Sequence, residues 1–169
     1  AYLGDPGIGA FGIACYYTPF VYMIGNAVAQ SAQPIISYNY GSGDSCRVRS
    51  TLRVALLAAV VCGGSVSTAF VFFPYQLVEL FINTNEAAFP LAVKGFPLMA
   101  TAFVFFIVNL TLIGYYQSVE RVRPAMVFAL LRGIFFLVPC FLVLPLWFDE
   151  TGIWIALGMS EMLTMLCII

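Results

Sequence analysis

Long apolar segments alternate with short polar ones along the whole chain. Each apolar segment reaches or approaches the roughly 20 residues that a helix needs to cross a bilayer. The five segments cover approximately residues 8–38, 52–73, 89–116, 125–147 and 152–169. They are too long for strands and lack the strict alternation of membrane barrels. The pattern predicts an all-α polytopic membrane protein with five transmembrane helices.

The composition supports the same class. Only 9% of the residues are charged and 62% are hydrophobic, with a mean hydropathy of +0.99, whereas soluble domains carry about 25% charged residues. The formal net charge of −1 gives no reason to expect nucleic acid as a partner. The chain starts without methionine and stops inside an apolar segment, so we expect it to be part of a longer protein.

The residue types of the chain give little support for a metal or cofactor site. The chain has no histidine, and its five cysteines show no C-x-x-C spacing. Zinc and haem sites are built from such ligands. We therefore expect no resident metal and no cofactor.

The charged loops predict an orientation. Short cytoplasmic loops of membrane proteins are enriched in lysine and arginine. Two of the four connections are basic, and the other two carry only Lys94 between them. The bases of the two basic connections are Arg47, Arg49, Arg53, Arg121 and Arg123. The first helix is thus expected to enter from outside and to end inside.

The first helix carries a row of polar side chains. Its members are Tyr22, Asn26, Gln30, Gln33 and Ser37, at steps of four, four, three and four residues. Such spacing predicts one helical face, which in lipid must look toward protein or a water-filled cavity. Either the row lines a substrate cavity, or it bonds neighbouring helices together. Pro34 interrupts the backbone hydrogen bonds near this face and is a candidate hinge.

Two charged residues are expected deep in the membrane. Arg132 lies about 12 Å from the inner end of the fourth helix, and Glu161 about 13–14 Å from the outer end of the fifth, at 1.5 Å per residue. In a core of roughly 30 Å these depths differ by only about 4–5 Å. We therefore predict an ion pair or shared network. It either locks two helices together or makes Glu161 an acceptor for a proton or cation.

The third helix is rich in phenylalanine. Its four rings, Phe96, Phe103, Phe105 and Phe106, point nearly all round the helix. Part of this aromatic surface is expected to face lipid, and part to line a cavity for flat cations, which aromatic faces attract. Asn109 lies deep in the same helix and is a further cavity candidate.

The order of several segments suggests a family. "QPIISYNYGSGD" ends the first helix before a basic loop, and "LVELFINTNEAAFPLA", "YYQSVERVRPAMVFALLRGIFFLVPCFLVLP" and "GIWIALGMSEMLT" follow. In this order they resemble the C-terminal half of a MATE (multidrug and toxic compound extrusion) transporter. The resemblance covers nearly the whole chain.

The resemblance implies a fold and an activity. In that family twelve helices form two six-helix lobes, and the five helices here would match the eighth to the twelfth. It implies antiport of an organic cation against protons or sodium by alternating access, in a bacterial inner membrane. Some branches place a coupling carboxylate in the helix where this chain has Phe106 and Asn109. The coupling acid is therefore expected in the missing N-terminal lobe or in the helix preceding this chain.

Three other function classes fit these residues less well. A flippase for lipid-linked oligosaccharides would need several intramembrane cations for pyrophosphate, and Arg132 is alone. An intramembrane enzyme would need paired acids, a serine with a base, or metal ligands. A plain helical scaffold would not need so continuous a polar row. The expected partners are a small cationic amphipathic substrate, membrane lipid and the other lobe.

Overall fold

The computed structural model describes residues 4–168, and nearly all of them are helical. The elements are α1 (Gly4–Gly41), α2 (Ser45–Phe72), α3 (Pro74–Glu79), α4 (Ala88–Ser118), α5 (Val122–Leu130), a π-helical turn (Leu131–Phe136) and α6 (Leu137–Ile168). No strand occurs within this part of the chain. The predicted all-α membrane architecture is confirmed.

A turn of only three residues joins α1 to α2. Gly43 has φ +78°, in the left-handed region that glycine adopts without a steric penalty. The next residue, Asp44, caps α2, because its carboxylate accepts a 3.0 Å hydrogen bond from the backbone N–H of Arg47. The turn therefore follows from the glycine–aspartate sequence itself.

The last apolar stretch, Val122–Ile168, is interrupted at Asp149. A straight helix of these 47 residues would be about 70 Å long, more than twice the thickness of a bilayer core. Asp149 has φ +47° and ψ −130°, which is not helical. Phe11 on α1 packs against both Phe141 and Trp154, with ring centroids 5.8 and 5.5 Å away. Since a straight helix would separate those two rings by about 20 Å, the chain reverses at Asp149.

This reversal gives two antiparallel spans within the stretch. They cover residues 122–148 and 150–168, close to the predicted helices at 125–147 and 152–169. By length and composition, four helical stretches are apolar enough to cross a membrane. The fourth of them contains both spans, which accounts for the five helices read from the sequence.

Helix α4 forms the centre of the bundle and packs against α1, α2 and α6. Its rings at Phe96, Phe103 and Phe106 are buried, and Phe105 is half-buried. Only Phe105 is therefore left partly open on the outer surface of α4, and Phe106 is the ring that lines a cavity. The reason is that neighbouring helices cover α4 on several sides, which the residue types of α4 alone do not reveal.

The sequence suggests a hinge at Pro34 in α1 and an orientation set by the basic connections. Helix α1 continues through Pro34, which does not end it, and the role of that proline as a hinge stays a prediction. Arg49 and Arg121, from the two basic connections, line one pocket and so lie at the same end of the bundle. This placement agrees with the orientation read from the charges.

Candidate functional site

A cavity of about 460 Å³ with both apolar and polar lining lies between α1, α4, α5, the π-helical turn and α6. Helix α1 contributes polar side chains, and the other elements contribute an aromatic ring, an amide and two opposite charges. The polar and aromatic members are Thr18, Tyr22, Asn26, Gln33, Phe106, Gln117, Arg132 and Glu161. The cavity thus joins residues that are up to 143 positions apart in the chain.

The polar row of α1 divides between cavity, packing and surface. Tyr22, Asn26 and Gln33 line the cavity, whereas Gln30 is exposed outside it. Ser37 donates a 3.2 Å hydrogen bond to the carbonyl of Ser118 on α4. The cavity-wall and interhelical interpretations therefore each hold for part of the row.

Helical geometry explains this division. A helix turns about 100° per residue, so each step of four residues drifts by about 40°. With Tyr22 at 0°, Gln33 lies at about 20° and Asn26 at about 40°, while Ser37 lies at about 60° and Gln30 at about 80°. The three residues nearest in angle are those that reach the cavity.

Gln33 both lines the cavity and bonds to a neighbouring helix. Its side-chain amide lies in the cavity wall and donates a 3.3 Å hydrogen bond to Oε1 of Gln117 on α4. A hydrogen bond of this length is near the outer limit of the usual range. A ligand in the cavity can therefore compete for either amide at little cost.

Arg132, Glu161 and Asn109 form a buried network on the far wall. Nε of Arg132 donates to Oε1 of Glu161 at 2.7 Å. The side-chain amide of Asn109 donates to Oε2 of Glu161 at 2.8 Å and to its backbone carbonyl at 2.9 Å. Glu161 is only 2% exposed and Asn109 is fully buried. The contact between Arg132 and Glu161 is the one that the depth comparison predicts.

The network leaves some groups without a protein partner. Both carboxylate oxygens of Glu161 accept hydrogen bonds, but Oδ1 of Asn109 has no partner among the described residues. Arg132 uses only Nε within residues 4–168, and its guanidinium lies over the ring of Phe106 with Cζ 4.0 Å from the centroid. The remaining guanidinium donors thus make no hydrogen bond within residues 4–168, and Arg132 is one of the residues that line the cavity.

Asn109 lies behind the cavity wall rather than in it. Its side chain is fully buried and does not line the cavity, although we expected it to. The reason is that α4 turns this position toward the fifth span, where the amide meets Glu161. Its contribution is to hold the carboxylate that does line the cavity.

The sequence did not reveal every residue of the site. Thr18 lines the cavity one turn before Tyr22, and the four-residue spacing of the polar row was a signal that extended to it. Gln117 was visible only as a polar residue near the inner end of α4. The π-helical turn that carries Arg132 has no marked sequence signature, although such turns often occur at functional sites.

Comparison with known proteins identifies relatives along most of the chain. The model of the MatE family matches residues 1–142. The chain is 29% identical over 159 residues to a protein of Rhizobium meliloti (strain 1021) named probable multidrug resistance protein NorM. That alignment covers 90% of this chain and 34% of the relative, so the chain spans about a third of the relative's length.

Solved structures share the fold. An outward-facing multidrug resistance MATE family transporter of the MOP superfamily superposes with a TM-score of 0.90 at 14% identity, covering 98% of this chain and 38% of that one. The MATE multidrug transporter DinF-BH gives 0.81 at 27% identity, with 95% and 36% covered. A MOP superfamily transporter from Pyrococcus furiosus, described as having a binding pocket of reverse polarity, gives 0.83 at 16% identity, with 98% and 37% covered. The family match over residues 1–142, together with the apolar helices, shows that this chain belongs to the MatE family of multi-pass membrane transporters.

Proposed function

We propose that this chain forms most of the C-terminal lobe of an ion-coupled antiporter that exports organic cations from the cytoplasm. In this proposal the other lobe completes a twelve-helix transporter in a bacterial inner membrane. Protons or sodium supply the driving force, and the two lobes expose a central cleft alternately to each side. The cavity between α1, α4 and α6 is the contribution of this chain to that cleft.

The observation that carries the proposal is the chemistry of the cavity wall. Tyr22, Asn26 and Gln33 offer hydrogen-bonding groups on one side. On the other side the positive charge of Arg132 is paired with the negative charge of Glu161 at 2.7 Å. Because these charges compensate each other, the wall does not repel a cation as an unpaired arginine would.

Aromatic surface supports the same substrate class. The ring of Tyr22 lines the cavity and is about half exposed, so it is accessible to a flat cation. One face of Phe106 is already covered by Arg132, so this ring offers less to a substrate. Tyr22 is therefore the aromatic contact that we propose for the transported molecule.

We propose that the pair of Arg132 and Glu161 chiefly locks the fourth span to the fifth. Both oxygens of the carboxylate already accept hydrogen bonds, and the residue is nearly fully buried. A static network of this kind costs much to open, because each separated charge would stay in a low-dielectric interior. In this proposal the coupling ion binds elsewhere in the transporter.

Glu161→Gln tests this assignment. The glutamine keeps an acceptor for Arg132, but its new amide N–H groups face the Nδ2 donor of Asn109, which the backbone carbonyl of position 161 holds in place. Because the neutral glutamine leaves the charge of Arg132 uncompensated, the cost should approach the about 3–5 kcal/mol of a broken buried ion pair, reduced by the hydrogen bond that is kept. In cells that produce the whole transporter we expect lower protein yield and weaker efflux of a cationic dye, because Arg132 is now unpaired, but the remaining efflux should still depend on the ion gradient.

Two outcomes contradict the proposal in different ways. Normal yield of the glutamine variant with loss of gradient dependence would make Glu161 the coupling acid instead of a lock. If the well-expressed wild-type transporter leaves the accumulation of every cationic dye unchanged, drug export itself is wrong. Glu79→Gln, which changes an exposed acid on α3, serves as the matched control.

One observation favours a second candidate, a flippase for an anionic lipid-linked molecule. The guanidinium donors of Arg132 other than Nε have no acceptor among residues 4–168, and this arginine lines the cavity. A pyrophosphate group would fit such donors. This candidate predicts that anionic lipid-linked substrates, and not cationic dyes, compete for the cavity.

A further inference from the structure

A second polar pocket lies at the arginine-rich end of the bundle, away from the cavity described above. It measures about 320 Å³ and is bounded by the ends of α1, α2, α4 and α5. Its lining combines two arginines, two tyrosines and an apolar floor. The arginines are Arg49 and Arg121, and the tyrosines are Tyr40 and Tyr115.

The two arginines of this pocket are unpaired in the described structure. Within residues 4–168 the ion pairs are those of Arg47 with Asp44 and of Arg132 with Glu161. The other carboxylate of this end, Glu120, makes no ion pair there and does not line the pocket. The pocket therefore has a surplus of positive charge.

The tyrosines add further donors. The hydroxyl groups of Tyr40 and Tyr115 make no hydrogen bond to any residue that the structure describes. A guanidinium binds a phosphate through parallel hydrogen bonds, and a phenol donates one more. Two guanidinium groups and two phenols around one space suit a phosphate group.

The position of the pocket favours a lipid as the source of that phosphate. The apolar segments predicted at 8–38 and 89–116 end here, so the pocket lies where the helices leave the bilayer core. The pocket floor is formed by the buried side chains of Val48 and Val119. A volume of about 320 Å³ equals roughly ten water molecules in the liquid, more than a single phosphate ion fills.

We propose that this pocket binds the phosphate and glycerol portion of an anionic membrane lipid on the cytoplasmic side. Arg49 and Arg121 hold the phosphate, the tyrosine hydroxyls donate to it, and the apolar floor contacts the start of the acyl region. Basic pockets between helices on this side of a membrane are known to suit anionic headgroups. This site is independent of what the central cavity transports.

The test is native mass spectrometry of the complete transporter in detergent, titrated with phosphatidylglycerol. The variant Arg49→Gln with Arg121→Gln should bind this lipid about 30-fold more weakly, at roughly 1 kcal/mol for each arginine. The matched control is Arg53→Gln with Arg123→Gln, which removes two charges from the same connections without touching the pocket. This control should keep wild-type affinity.

Each remaining outcome counts for or against the site. Equal weakening in both double variants would show a diffuse attraction to the basic end and overturn the pocket. Equal binding of phosphatidylcholine would show that the negative charge does not matter. Complete displacement of the lipid by millimolar inorganic phosphate would make this a free-phosphate site. Because all four arginines are exposed, loss of folding is not expected, and Arg49→Lys with Arg121→Lys should retain most of the binding.

Discussion

Glu161→Ala is expected to lower the free energy of unfolding by about 3–5 kcal/mol, because it leaves the charge of Arg132 unpaired in a buried position. The loss also removes the acceptor for the side chain of Asn109. The measurement is an unfolding titration with sodium dodecyl sulfate in mixed micelles. Glu79→Ala, which removes an exposed acid on α3, should stay within about 0.5 kcal/mol of wild type.

A double variant tests whether the unpaired charge of Arg132, and not a general loss of packing, causes the destabilisation. Arg132→Met combined with Glu161→Leu removes both charges and should recover most of the lost stability, since buried ion pairs are often replaceable by apolar groups. If Glu161→Ala is as mild as Glu79→Ala, or if the double variant is less stable than Glu161→Ala, the network does not lock the two spans.

Gly95→Ala is expected to destabilise the bundle by about 1–3 kcal/mol through overpacking. A methyl group at this position would overlap the indole ring of Trp154. That ring is 5% exposed and contacts Phe11 and Phe96, so it has little room to move. The same unfolding titration measures the effect.

Gly64→Ala is the matched control for this substitution. A methyl group on Gly64 meets nothing within 4 Å, and alanine is the better helix former by up to about 1 kcal/mol. The control should therefore be neutral or stabilising. Equal effects of the two substitutions would mean that Gly95 does not mark a close contact between α4 and the fifth span.

The sequence predicted the helices well because membrane spans obey simple limits. Length and hydropathy locate the helices to within a few residues, except that α1 and α2 extend further into the connections. The short helix α3, which begins at Pro74, lies outside the five predicted segments. The reversal at Asp149 followed from the polar residues around it, since no helix of 47 residues fits one bilayer.

The site was only partly predictable, because neighbouring helices decide what each polar residue meets. The similar depths of Arg132 and Glu161 in the membrane were enough to predict their contact, since both charges must avoid lipid. Nothing in the sequence placed Asn109 behind that carboxylate, or put Gln30 outside the cavity that Gln33 lines. Those outcomes depend on the rotation of α1 and α4 about their axes, which packing sets.

The most direct test of the central claim compares three positions of one helix face. Asn26→Cys, Gln33→Cys and Gln30→Cys, each in a transporter without other cysteines, are labelled with a water-soluble maleimide in the presence and absence of a cationic dye. Saturating dye is expected to slow labelling at positions 26 and 33, which line the cavity, and to leave labelling at position 30 unchanged. Equal protection at all three positions, or none at positions 26 and 33, would contradict the claim that this cavity holds the transported cation.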